Sequence, residues 1–333
     1  MKEKNKGFTL VELLAVIVIL ALIALIATPI ILNVINDAKK QAAKDSAYGY
    51  MDAVEKYIVS SELEDKSIKD GTYSVEELNK KISVKGSTPD NGNIEIKNSS
   101  VKSYDIGIDG YAVSNGKVDK VSTTKKIENG TAVYYNPVSG EKCTGYTEAN
   151  SKTGKNSGCM KWYVFNDKEG NATVNVILDH NTTANVAWNS TGSNSEMKEV
   201  KIKLEEDTKD WENTARLITA NEVAKITGYT SWGTNITGYP WFCFDTNQQD
   251  DTNDCAKAQG KSKYAWLFDY TYECTNYGCN TSDLSTWGYW TSTQYVNSIH
   301  VWFVARNGRL DVNSASSTGH GVRPVITISK SNI

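Results

Sequence analysis

A nearly continuous apolar run at the amino terminus constrains everything else in this chain. From Phe8 to Leu32 it is interrupted only by Thr9, Glu12, Thr28 and Pro29, which makes it long enough to cross a bilayer as one helix. Seven polar, Lys-rich residues, Met1 to Gly7, precede it without a spacer. An ordinary secretory signal places its small-residue cleavage site after the apolar stretch; here the small residue, Gly7, stands before it. Glu12 is the only charge from Phe8 through Asn36. An ionised carboxylate at membrane depth costs about 2.5 kcal/mol or more, so Glu12 either meets a cation or snorkels to the interface. Pro29 lacks the amide hydrogen that a helix uses and is expected to kink or locally melt the span.

The stretch from Lys6 to Leu14 (KGFTLVELL) resembles the cleavage and methylation signal of type IV prepilins. That resemblance implies cutting between Gly7 and Phe8 on the cytoplasmic side and N-methylation of Phe8. It also implies that Glu12, fifth from Phe8, pairs with the terminal ammonium of a neighbouring subunit during filament assembly. The implied partners are other pilin subunits, the prepilin peptidase and methyltransferase, and the membrane.

Beyond Pro29, Ile31, Ile35, Ala38 and Ala42 recur at helical spacing, and after one slip so do Ala47, Met51, Val54 and Ile58. This predicts an amphipathic continuation and one helix from Phe8 to about Ile58, roughly 75 Å long at 1.5 Å per residue. Ser60, Ser61, Glu62 and Asp65 mark its expected end. Ser74 and Glu77 have capping-box spacing and predict a short helix to about Lys81. Alternation at Ile94 and Ile96, at Tyr104, Ile106 and Ile108, and at Tyr111 and Val113 predicts strands. The pair Asn115-Gly116 supplies a hairpin turn before Val118 and Val121. A small antiparallel sheet laid on a long helix is the architecture that the pilin resemblance implies.

More than half of the chain remains. The Tyr (18), Trp (9) and Gly (24) content of the whole chain, with only 3 His, suits an extracellular β-rich surface better than a metabolic enzyme. The net charge of -3 offers no basic footprint for nucleic acid as a main partner. All 6 Cys follow residue 142, as Cys143 and Cys159, Cys243 and Cys255, and Cys274 and Cys279. An even count in a loop-rich context points to disulfides, with neighbour pairing the simplest of the connectivities allowed. Zinc is the competing reading, but the spacings lack paired CxxC units and no His adjoins them. Residues 131–210 carry an aromatic strand at Trp162 to Phe165 and an apolar run at Val174 to Leu178; Trp211 to Thr227 reads as a helix or helix pair.

The blocks Ala215 to Val223 (ARLITANEV), Gly288 to Thr293 (GYWTST), Val301 to Val304 (VWFV) and Gly321 to Ile328 (GVRPVITI) resemble C-type-lectin-like domains. The branch concerned includes formylglycine-generating enzymes and bacterial or phage surface binders. Within it Trp290 and Trp302 are expected in the core, and Arg323 as a hydrogen-bonding anchor. Formylglycine-generating enzymes use a reactive Cys pair and copper, but here the local Cys pairs read as loop staples. No nucleophile or base motif surrounds His180, His300 or His320, so no catalytic residue is assigned. Asp245 to Asp254 (DTNQQDDTND) has oxygens enough for calcium yet lacks the Gly and terminal Glu of an EF-hand. A solvated acidic loop is the favoured reading, calcium stays optional, and no cofactor is required. The mixed set between Gln294 and His320, with Tyr295, His300, Arg306 and Arg309, is the candidate ligand surface, against the plain reading of a solvated loop set.

The expected fold is α+β. It comprises a leader (1–7), a pilin helix (8–60, with 8–32 in the membrane), a β head (61–125), a β-rich connecting region (126–210) and a C-type-lectin-like domain (211–333). The expected function is that of a minor type IV pilin, membrane-anchored as a precursor and then exposed on an extracellular filament, where the last domain adheres to a glycan or protein. The alternative is a pseudopilin of a secretion or DNA-uptake apparatus; a surface enzyme would need a reactive thiol.

Overall fold

The computed structural model describes residues 10–64, 68–121, 125–144, 158–229, 242–245, 255, 262–268, 286–296 and 298–333. Helix α1 (Leu10–Leu63) spans 54 residues and is helical on both sides of Pro29. Next come β1 (Gly71–Ser74), α2 (Val75–Leu78), β2 (Asn91–Lys97), β3 (Ser100–Ile108), β4 (Tyr111–Ser114) and β5 (Lys117–Lys120). The five strands form an antiparallel meander in sequence order. Ser74 and Glu77 make the reciprocal capping box of α2. At the β4–β5 turn, Asn115 (φ 46°) and Gly116 (φ 84°) are both left-handed, as a two-residue turn between paired Ser114 and Lys117 requires.

The sheet packs on one face of α1. Ala47, Tyr50, Met51, Val54 and Ile58 are buried there with Ile94, Ile106, Ile108 and Val113. Two features differ from the sequence expectation. Burial begins at Ala43, and Ile31, Ile35, Ala38 and Ala42 are exposed, because the sheet does not extend that far down the helix. The helix also continues to Leu63, five residues past Ile58, since Ser61 is still buried against the head.

The remainder is built from β6 (Ala132–Asn136), β7 (Glu141–Lys142), β8 (Met160–Phe165), β9 (Thr173–Leu178), β10 (Thr183–Val186), α3 (Glu199–Thr208) and α4 (Ala220–Thr227). It continues with β11 (Phe242–Cys243), α5 (Ala265–Phe268), β12 (Gly288–Gln294), β13 (His300–Ala305), β14 (Arg309–Ser314), β15 (His320–Val322) and β16 (Val325–Ser329). These strands form two sheets, ordered β16-β9-β8-β6-β7 and β10-β15-β12-β13-β14-β11. Strands on either side of residue 211 share both sheets, because β16 pairs with β9 and β15 with β10. At the start of β12, Gly288 lets the backbones close: a Cβ there would lie 1.9 Å from the Val304 carbonyl oxygen.

Helix formation between Trp211 and Thr227 is confined to α4. Arg216 instead exchanges backbone hydrogen bonds with Val325 (2.9 and 2.8 Å), and Thr219, closing a capping box with Glu222, fixes the start of the helix after it. The sequence reading also has no helix at α3. Only Val200 and Leu204 of that charged segment are buried, and Lys198 supplies no side-chain cap, so its periodic signal is short.

The head and the C-terminal body meet through a buried polar seam. Arg216 donates from Nε to Asn93 Oδ1 on β2 (2.6 Å) and from both terminal nitrogens to the Glu222 carboxylate (2.8 and 2.6 Å). Asp105 on β3 accepts the Thr214 amide (2.9 Å) and the Ser114 hydroxyl. Ser103 and Thr214 join their hydroxyls at 2.7 Å, and Thr72 donates to the Ala215 carbonyl at 3.2 Å.

Candidate functional site

The amino-terminal half of α1 and the second C-terminal sheet hold the candidate residues. Glu12 lies in the first turn of α1 and is exposed, as are the large apolar residues from Leu10 to Ile35. Among the described residues nothing covers this stretch, which belongs to the one described helix long and apolar enough to cross a membrane. Gly7 and Phe8 lie outside the described residues.

Sequence reasoning groups Tyr295, His300, Arg306 and Arg309; the structure separates them into two pairs at opposite ends of β13. At the first end Tyr295 donates its backbone amide to the His300 carbonyl (3.0 Å) and sets its half-buried ring edge-on to Trp302 (5.7 Å). His300 is held by the Ser298 hydroxyl. At the far end Arg309 pairs with Asp311 (2.8 Å), and the Arg306 guanidinium lies over the Trp287 ring, 5.3 Å from its centroid. Trp287, which the sequence reading does not single out, is 62% exposed. Its only signal in the sequence is its place directly before the GYWTST block.

Behind these ends lies a dry framework. Trp290 and Trp302 are buried, and the Trp290 indole donates to the Val186 carbonyl (2.8 Å). Arg323 is fully buried and donates to the carbonyls of Leu178 (2.5 Å), Leu267 (2.6 Å) and Trp266 (2.8 Å), tying β9 and α5 to the link between β15 and β16. Its guanidinium also lies over the Tyr289 ring. Full burial with these three carbonyl partners turns all three nitrogens of the guanidinium inward.

The three histidines have separate surroundings. His180 meets the Asp179 carboxylate at 2.6 Å, both buried. His320 is fully buried, stacked on Phe303 and edge-on to Trp290, and burial pulls its pKa down to about 3. Among the described residues no cluster of three or more His, Cys, Asp or Glu side chains could hold a metal ion. Of the acidic loop only Asp245 is described, within that loop, and it accepts from Ser262 (2.8 Å); residues 246–254 lie outside the described residues. Cys143 is joined to Cys159, and Cys243 to Cys255. Cys274 and Cys279 lie outside the described residues.

Compared with known proteins, the chain matches the family described as the prokaryotic N-terminal methylation motif over residues 2–28. No curated protein and no solved structure matches it. The motif supports a type IV pilin-type amino terminus, and with it processing by a prepilin peptidase and assembly with other pilin subunits. It points to a structural subunit more than to an enzyme. Together with the uncovered apolar helix it fits a membrane-anchored precursor that becomes part of a surface filament.

Proposed function

We propose that this chain is a minor pilin, cut between Gly7 and Phe8 and methylated on Phe8, that carries a lectin-like adhesive body on the outside of a filament. The observation that carries the reading is a coincidence of position. The methylation motif at residues 2–28 overlaps the part of α1 that nothing covers, whereas burial against the head begins only at Ala43. A helix bare from Leu10 to Ala42, about nine turns, then capped by a sheet, suits packing against like helices after leaving the bilayer. Glu12, inside that bare stretch, meets the methylated ammonium of the next subunit.

The head comprises the outer part of α1 and residues 61–125, and the region from 126 onward serves as the displayed binder. Cys274 and Cys279 add a third staple in that region. The buried seam at Arg216 supports display at a fixed angle to the filament axis. Mass analysis of the amino-terminal peptide from sheared filaments tests the reading and should yield N-methyl-Phe8. Recovery of Met1 on the filament-associated form refutes it. Immunogold labelling of intact cells with an antibody to residues 211–333 separates a filament adhesin, labelled away from the cell body, from a pseudopilin retained at the envelope.

A further inference from the structure

Tryptophan is among the least favourable side chains to leave in water, since its ring carries on the order of 150–250 Å² of mostly apolar surface. Trp162, Trp188, Trp290 and Trp302 are buried and Trp211 and Trp266 half-buried, whereas Trp287 is 62% exposed. A stray exposed aromatic needs no explanation, but this one is held in place. Its backbone amide donates to the Gly319 carbonyl and its carbonyl accepts from the Arg306 amide, both at 2.8 Å. The Arg306 guanidinium lies over the ring, 5.3 Å from its centroid, and reaches the Thr286 carbonyl at 3.5 Å. Gly319 leaves the space that the indole needs, for a Cβ there would stand 2.8 Å from Trp287 Cδ1.

The surroundings of this ring identify what it suits. Exposed Val296 and Ile299 belong to the other end of the β12–β13 hairpin, and exposed Val138 and Ile202 to the β6–β7 turn and α3. Among the described residues the apolar platform is therefore one ring wide, far smaller than the surface a stable protein interface buries. The segment that carries Gly319 is polar, with Ser316 and Thr318 exposed and Ser317 partly so, and Arg306 brings a charged group onto the ring. A pyranose has the same two-sided chemistry. Its C–H face carries slight positive charge and packs on the electron-rich face of an indole, while its hydroxyls need donors and acceptors at the rim.

We propose that Trp287, backed by Arg306 and spaced by Gly319, is the contact platform for a pyranose ring of a surface glycan. The proposal rests on the adhesive reading above and narrows it to the Arg306 end of β13, the Tyr295 and His300 end being occupied by internal contacts.

The test is binding of the full-length protein, purified in detergent, to a printed array of bacterial, plant and animal oligosaccharides. The wild type should bind at least one of them. Trp287→Ala should lower that affinity about tenfold or more, Trp287→Phe should keep part of it, and the thermal midpoint should hardly move. Gly319→Ala, which displaces the indole without touching a sugar, should weaken binding as well and serves as the control should Trp287→Ala fold poorly. Equal binding by Trp287→Ala and the wild type overturns the platform. So does a wild type that binds no saccharide on the array. The adhesive reading is judged separately, by whether cells lacking this chain still attach as well as their parent.

Discussion

Lys330 Nζ lies 2.8 Å from Asp167 Oδ2, and both side chains are completely buried. The ammonium also donates to the carbonyls of Lys125 and Lys168 (both 3.2 Å), and the same carboxylate oxygen accepts the Ile127 amide (2.8 Å). One ion pair thus fastens the C-terminal turn to the β8–β9 connection and to the segment leaving the head. Removing one member leaves an uncompensated buried charge. Lys330→Met should cost about 3–5 kcal/mol in denaturant unfolding. Lys330→Met with Asp167→Leu should recover much of that loss, and no recovery would mean that the pair is not the source of the effect.

Arg216 holds the head to the body. Arg216→Ala leaves Glu222 buried without its cation and Asn93 without its donor, so it should loosen the seam by about 3 kcal/mol. Limited trypsin digestion should then cut faster at Lys125 or Lys126 in the connector, while the circular-dichroism spectrum keeps its helical and sheet content. An unchanged digestion rate would show that other contacts suffice.

Two buried groups pull stability in opposite directions with pH. Burial, reinforced by Glu212, raises the pKa of Asp105 to about 6 despite its bonds to Ser114 and Thr214. The folded state therefore favours the protonated acid: this contribution is complete below the unfolded pKa near 4 and is lost as pH rises through about 6. Burial lowers the pKa of His320 to about 3, so its contribution is complete above about 6.5 and is lost as pH falls toward 3. Between about pH 6 and 4 the two terms offset each other. Asp105→Asn removes one of them. It should raise stability at pH 7 by about 2–3 kcal/mol and make the protein lose stability more steeply on acidification from pH 6.5. Chemical denaturation at a series of pH values checks both signs.

At the amino terminus Glu12→Ala shortens no span and removes the only charge in the apolar run. The variant should remain in the membrane fraction and be cut after Gly7, yet enter sheared filaments several-fold less than the wild type on immunoblots. Normal incorporation would contradict pairing with the neighbouring amino terminus.

Nonreducing peptide mapping should recover Cys143 with Cys159 and Cys243 with Cys255, the bonds present in the structure, and Cys274 with Cys279 as a third. Zinc in the purified protein, or free thiols at these positions, would contradict the oxidised state.

Local rules account for what could be read before the fold was known. The capping box at Ser74 and Glu77, the Asn115-Gly116 turn and the stripe through Ala47, Met51, Val54 and Ile58 depend on spacings of a few residues, which a sequence displays directly. The candidate binding surface was less legible. Arg306 and Arg309 flank one turn, but Tyr295 and His300 stand at the opposite end of the same strand, and a list of residue types within one segment does not reveal that separation.

The sequence by itself determined an apolar helix long enough to cross a membrane and the strands of the meander, because these follow from hydropathy, period and turn chemistry within short windows, and the methylation motif over residues 2–28 is legible through its resemblance to prepilins. Tertiary structure alone decided that β16 returns to β9, that Arg216 is drawn out into an extended bridge with Val325 rather than a helix, and that Trp287 is left facing water beside Arg306. Those outcomes depend on which distant backbone groups find partners and which side chains run out of neighbours, and neither is encoded in any one stretch of the chain.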